Sequence, residues 1–194
     1  MLDLKFVFEG VRNIYVLKLK SNWERCNMPK ANICLIGLSN QFVDQFGLGL
    51  SKKLDMFYAN VQKIIEFELL DMHKMEEVCG KDYLEKKETS IIKRICTYEN
   101  TILNVEYQLL NSDINFEILK NACIIVYLKI DKNRYWSLES HENLSNSVKL
   151  INSDLFEDRN FICEKKADIV VDCLELSGKE LHDKFLEEIV KYYA

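Results

Sequence analysis

The run CIIVYLKI at 123–130 is apolar at every position but Lys129. A strand with one face in water alternates apolar and polar residues. A strand that is apolar at successive positions needs cover on both faces, as a central strand of a parallel sheet has. This segment therefore predicts a sheet sandwiched between layers of helix.

The rest of the chain agrees in its periodicity. Ile33–Gly37 and Met56–Ala59 are short apolar strands, Ile102–Leu110 is a longer one, and ADIVVDC at 167–173 is another. Between them the spacing turns helical. Phe46, Leu50 and Leu54 recur every four residues, although Gly47 and Gly49 each cost that helix ~1 kcal/mol relative to alanine. Val61, Ile64, Ile65, Leu69 and Met72 line one long amphipathic helix. Asp82 with Glu85 has the spacing of a capping box and starts another, with Leu84, Glu88, Ile91 and Ile95 on one face. Asp113–Lys120 and Val148–Phe161 are further helices, and SLESHENLSNS at 137–147 is a loop. Ser177 and Glu180 cap a final helix whose buried face is Leu181, Phe185 and Ile189.

Strands separated by helices predict a three-layer α/β/α domain with a central parallel sheet over residues 31–194. Residues 1–30 are an extension. Within it, residues 4–19 alternate about a turn at Gly10–Asn13 as a β-hairpin, and residues 20–31 connect to the domain and hold the single proline, Pro29.

Composition narrows the function. The 194 residues carry a net charge of −5 and only short basic runs, which argues against a nucleic-acid surface. No apolar run approaches the ~20 residues that span a bilayer, and the amino terminus, interrupted by Asp3 and Glu9, does not read as a signal peptide. The seven cysteines include no C-x-x-C pair, so the expectation is reduced thiols in a cytoplasmic protein. Cys79 and His73 do not amount to a four-ligand metal set. His73, His141 and His182 are far apart and expected to be exposed. Tyr98, Tyr107, Tyr127, Tyr135 and Trp136 are expected to be packing residues, since no basic residues interleave them.

The pieces, taken in order, resemble the shikimate kinase family of P-loop kinases. NICLIG (32–37) resembles its first strand, KKLDMFYANVQKIIE (52–66) its L-x-M-x-F-Y-D-x-D-x-x-I-E, and CGKDYLEKKE (79–88) its G-E-x-x-F-R-x-x-E. ILNVEYQLL (102–110) sits where the family has a strand running into three glycines. ACIIVYLKI (122–130) resembles its V-V-Y-L strand, and LFEDRNFICEKKADIVVDC (155–173) its L-x-x-R-x-P-x-Y-x-x-x-A-D ending. The resemblance implies a P-loop kinase fold, with ATP and Mg²⁺ as cofactors and a sugar acid as phosphoryl acceptor in active members.

A phosphate loop needs G-x-x-x-x-G-K-[ST], so that backbone N–H groups converge on phosphate, lysine neutralises it and the hydroxyl ligates Mg²⁺. Counted from Gly37 through Asn40, the second glycine is Phe42, the lysine is Val43 and the hydroxyl is Asp44. A carboxylate ~4 Å from a phosphate charge repels it by ~4 kcal/mol at an effective dielectric of ~20. Asp44 reads better as an N-cap or first-turn acid of the following helix.

On the acceptor side, the resemblance places the family's aspartates at Ala59 and Val61, its carboxylate-binding arginine at Glu85, and its three glycines at Glu106, Tyr107 and Gln108. Glu88 matches a family position. Arg159 matches the second acceptor arginine, although it also lies near Glu157, Asp158 and Glu164 as an ordinary helix-surface partner would. The lid region holds no basic residue except His141. With donor, metal, acceptor and lid groups altered together, the expectation is a non-catalytic binding or scaffolding module without a cofactor. It would meet a protein partner, or itself, through the amino-terminal hairpin, and neither nucleic acid nor membrane. Two other readings stand beside it: an active ATP- and Mg²⁺-dependent small-molecule kinase with a rearranged site, and a pocket holding a neutral or cationic ligand.

Overall fold

A computed structural model of the chain describes residues 32–69, 72–138, 146–174 and 178–193. The predicted hairpin of residues 4–19, His141 and the Ser177 cap lie outside the described residues.

In chain order the elements are β1 (Asn32–Ile36), α1 (Asn40–Leu54), β2 (Phe57–Asn60), α2 (Val61–Leu69), α3 (Met72–Cys79) and α4 (Lys81–Ile95). There follow β3 (Thr101–Asn104), a 3-10 turn (Tyr107–Asn111), α5 (Asp113–Ala122), β4 (Cys123–Lys129), α6 (Lys132–Leu138), α7 (Asn146–Lys166), β5 (Ile169–Asp172) and α8 (Gly178–Tyr193). The strands form one parallel sheet in the order β2-β3-β1-β4-β5.

The apolar run that predicted a central strand is β4. Its side chains alternate between two cores, as the period of two in a strand requires. Ile124, Val126 and Leu128 join Ile33 and Leu35 of β1 against Phe42, Val43, Phe46 and Leu50 of α1 and Leu181, Phe185 and Ile189 of α8. Cys123, Ile125 and Tyr127 join Cys34 and Ile36 on the opposite face, against Val61 and Ile65 of α2, Ile91, Ile92 and Ile95 of α4 and Leu119 of α5. The register sets Cys34 beside Ile125 and Ile33 beside Ile124, so each layer of one strand continues into the next.

Three elements differ from the sequence expectation. The strand expected over Ile102–Leu110 ends at Asn104. Val105 N–H makes a last bond to Leu35 O at 3.0 Å, and the chain then leaves the sheet for the 3-10 turn, whose Leu109 and Leu110 are buried. The helix expected from Val61 is described as α2 and α3, which lie on either side of residues 70–71, and its buried stripe in α2 is Val61, Ile65 and Leu69. α4 starts at Lys81 after Gly80, whose φ of 81° turns the chain into the helix. Asp82 is therefore a first-turn acid rather than the cap, and Glu85 pairs with Lys81 at 3.6 Å. Lys132–Leu138 forms α6, which takes in Ser137 and Leu138, the first two residues of the stretch expected to be a loop.

The connection from β1 packs on one face and the connection from β3 on the other. In a parallel sheet that reversal opens a crevice beyond the carboxyl ends of the two strands, the usual location of a ligand site in such folds. Gly37, Leu38 and Ser39 follow β1 there; Val105 and Glu106 follow β3.

Candidate functional site

Only Gly37, Leu38 and Ser39 separate β1 from α1. Ser39 is the N-cap by backbone position, with extended φ −107° and ψ 109°, but its side chain makes no capping bond. Val43 N–H donates to Ser39 O at 3.1 Å, so the first regular helical bond already falls at the residue counted as the phosphate-loop lysine.

The apolar character of residues 42 and 43 explains this early start. Val43 is fully buried and Phe42 nearly so, both in the core shared with Ile33, Leu35, Leu128 and Ile130. A Cβ built on Gly37 would lie 2.5 Å from Val43 Cγ2. Gly37 thus accommodates the valine side chain at close quarters. The Phe42 ring lies under the Arg134 guanidinium, 4.8 Å from its centroid, and Arg134 donates to Cys173 O.

Asp44 is the fifth residue of α1, so it is neither cap nor first-turn acid. Its Oδ1 accepts from Tyr58 Oη and from Asn60 Nδ2, each at 2.7 Å, and its Oδ2 accepts from Lys63 Nζ at 3.0 Å. Burial pushes the carboxyl up, but the hydrogen bonds from Asn60, Tyr58 and Lys63, with the lysine's charge, bring it down to about 2. Asn60 Oδ1 also accepts from the Lys63 backbone N–H at 3.0 Å and so ties the start of α2 to the same network. Tyr58 reaches Asp44 because it lies against Gly47: a Cβ there would meet Tyr58 Cε2 at 2.6 Å. Burial, and then the carboxylate it faces, hold the Tyr58 phenol above its ordinary range.

Asn40 donates from Nδ2 to Glu106 Oε1 and bridges the crevice between the ends of β1 and β3. Burial first, and then the charge of Glu66, push the Glu106 carboxyl up against that bond. Asn104 is buried in register with Asn60. Its Nδ2 and the Ser39 Oγ are buried without hydrogen-bond partners among the described residues.

The other predicted positions are spread around this crevice. Val61 is buried at the start of α2 and contributes only to the core. Gln108 is exposed. Glu85 remains on the exposed side of α4 with Lys81; burial, and then Glu85's charge, raise the Glu88 carboxyl. Arg159 lies over the Tyr107 ring, 5.3 Å from its centroid, rather than pairing with Glu157, Asp158 or Glu164. Lys129 takes Glu164 at 2.6 Å, and Lys132 approaches Glu157 at 4.0 Å.

Structure brings together Asn40 with Glu106, Phe42 with Val43 and Gly37, and Tyr107 with Arg159. Sequence reasoning missed Tyr58, Asn60, Lys63 and Arg134. The first two flank Ala59 in a strand, at the spacing that puts both on the side opposite it, and were legible in principle. Arg134 lies three residues before the polar stretch searched for basic residues. Among the described residues, no three His, Cys, Asp or Glu side chains are grouped to hold a metal ion. Among the same residues no helix is long and apolar enough to cross a membrane.

Five parallel strands in the order β2-β3-β1-β4-β5, helices on both faces and a glycine directly after the central β1 define a P-loop kinase-like α/β fold. The shikimate kinase family model matches residues 45–190, about three quarters of the chain, and the protein belongs to that family. Among solved structures it is similar to the shikimate kinase of Bacteroides thetaiotaomicron, with a TM-score of 0.67 at 14% identity over 83% of this chain and 98% of that one. It is also similar to the Acinetobacter baumannii enzyme solved in complex with shikimate (TM-score 0.63, 18% identity, 84% and 92% covered). The Aquifex aeolicus shikimate kinase gives a TM-score of 0.61 at 21% identity, over 83% and 95%. At these identities the likeness is one of fold. No curated protein matches the chain significantly.

Proposed function

We propose that this member of the shikimate kinase family transfers no phosphoryl group and serves as a binding or scaffolding module. The observation that carries the reading is the contact of Val43 with Gly37. Cradling a phosphate needs an open turn whose N–H groups converge on it and a cation beside it. Here the turn is three residues long, a valine side chain lies against its glycine, and Phe42 is packed between the core and Arg134.

The residues present do not fit a nucleoside triphosphate with its Mg²⁺. The carboxylate at the position of the metal-binding hydroxyl is engaged by Tyr58, Asn60 and Lys63. The family match begins at Gln45, one residue past the Gly37–Asp44 segment. On the acceptor side, Glu85 carries the wrong charge for an anionic sugar acid, and Glu106, Tyr107 and Gln108 put side chains where close backbone approach is needed. Phosphoryl transfer depends on positioning and charge neutralisation, and these substitutions remove both. We assign the partner contact to residues 1–30, whose alternating segment suits strand addition to another sheet.

Isothermal titration calorimetry with Mg-ATP tests the reading. No saturable heat is expected up to ~1 mM nucleotide; a dissociation constant in the range of ~1 μM would overturn it.

A further inference from the structure

A cysteine pair lies on the face of the sheet opposite α1, at the amino ends of the strands. Cys123 opens β4 and is fully buried; Cys96 ends α4 and is half-buried. They are 27 positions apart in sequence and are brought together through β1. Asn32 is in register with Cys123, and the same asparagine clamps the turn after Cys96. Its Nδ2 donates to Tyr98 O at 2.7 Å, and its Oδ1 accepts from Thr101 N–H at 2.9 Å. Cys123 is a buried member of the apolar cluster on this face and Cys96 packs against the same cluster.

We propose that Cys96 and Cys123 are a redox-active dithiol that hydrogen peroxide converts to an intramolecular disulfide joining the end of α4 to the start of β4. The Cys96 thiolate attacks one peroxide oxygen, the O–O bond breaks, and hydroxide leaves. Cys96 becomes a sulfenic acid, and its displaced proton turns the hydroxide into water. The Cys123 sulfur then attacks the sulfenic sulfur, the S–S bond forms, and a second water carries away the sulfenic oxygen and the Cys123 proton. The dithiol loses two electrons and one peroxide is reduced to two waters.

The remaining described thiols show why this pair is singled out. Cys34, Cys163 and Cys173 are buried, and burial raises each above the ordinary thiol range. Cys96 is only half-buried, and the neighbouring Cys123 side chain draws its thiol below that range against the effect of burial, which favours the nucleophilic thiolate. Cys79 is exposed at the carboxyl end of α3 and serves as an internal control. This inference is independent of whether the crevice binds nucleotide, because it concerns the opposite end of the strands.

The test treats the reduced full-length protein with hydrogen peroxide, then blocks free thiols and maps peptides by mass spectrometry. The expected result is a loss of about 2 Da for the intact chain, a crosslinked peptide pair containing Cys96 and Cys123, and reversal by dithiothreitol. Cys96→Ser abolishes the crosslink, and Cys123→Ala leaves Cys96 as a sulfenic acid that dimedone labels. The proposal is overturned if Cys96 and Cys123 are both recovered as free thiols in peroxide-treated wild-type protein, or if Cys96 is found joined to another cysteine. The wild-type map decides the matter even where the Cys123 variant does not fold.

Discussion

Val43 Cγ2 lies 2.5 Å from the point a Cβ on Gly37 would occupy. That single contact links the end of β1 to the first turn of α1 and makes glycine obligatory at 37 on packing grounds. Gly37→Ala is expected to destabilise the fold by about 1–3 kcal/mol through overpacking. Val43→Ala alone costs about 2 kcal/mol for the lost core methyls. Because removing Cγ2 relieves the alanine's clash, the double variant should cost less than the two singles combined, by about 1 kcal/mol. Urea denaturation of the four proteins measures the cycle; strict additivity would mean that the two residues do not press on one another.

Phe42 and Val43, counted from Gly37 onto a phosphate-loop pattern, are packed as core. Restoring the loop's residue types with Phe42→Gly and Val43→Lys is expected to damage the protein before it gains nucleotide binding. Phe42→Gly loses a buried ring and adds a helical glycine, for about 3–5 kcal/mol. Val43→Lys puts an ammonium among Leu35, Leu128 and Ile130. Thermal melts and nucleotide titration of each variant check this. A stable Phe42→Gly variant that binds Mg-ATP would show that the side chain blocks a cradle otherwise intact.

Much of the architecture was legible because it rests on period. The apolar run of β4 marked a strand buried on both faces, and the four-residue spacing of Phe46, Leu50 and Leu54 marked the inner side of α1. Boundaries were less legible where one pattern serves two conformations. The apolar residues after Asn104 suit a strand, yet a 3-10 turn buries Leu109 and Leu110 equally well. At the candidate site the residue types after β1 could be read in one dimension, and the contacts their side chains make could not. Asp44 finds Tyr58, Asn60 and Lys63 only because β2 lies alongside α1 in space, and Phe42 meets Arg134 only because α6 follows the neighbouring strand. The helical glycines 47 and 49 read as weak points in sequence; in the fold they are the places where the Tyr58 and His182 rings approach α1.

Asp44 holds its network together through its charge. Its pKa is lowered from 3.8 to about 2 in the folded protein, so the unfolded chain binds the proton more tightly. The contribution to stability is therefore complete above the unfolded value and is lost as pH falls from about 4 through about 2. Asp44→Asn should remove that acid-dependent component and cost about 1–2 kcal/mol at neutral pH, allowing for partial solvent screening. Gly47→Ala should produce part of the same loss, despite alanine's better helix propensity, by displacing the Tyr58 ring from reach of Asp44. Denaturation midpoints across this acid range, compared between wild type and the two variants, test both.

His182 provides the opposite kind of test, near neutrality. Its ring lies 4.8 Å from that of Phe46, its Cε1 is 3.0 Å from where a Gly49 Cβ would be, and Nε2 is 3.4 Å from Phe46 O. Burial lowers its pKa below the ordinary 6.5, the Phe46 carbonyl opposes that shift, Lys53 adds to it and Asp183 opposes it. The unfolded chain thus binds the extra proton more readily, and the His182 contribution makes stability rise with pH up to the unfolded value. Glu88 and Glu106 have raised pKa values and act in the reverse sense at lower pH, favouring the fold while protonated and losing that contribution as pH rises. The wild-type profile alone mixes these effects, so the informative quantity is the difference between wild type and His182→Gln. That difference should grow in favour of wild type from about pH 5 to about pH 7.5, as the half-buried imidazole becomes neutral in both states. Urea midpoints at matched ionic strength would measure it. A flat difference would place the imidazole in solvent, and a difference of the opposite sign would mean that Asp183 rather than burial governs its proton.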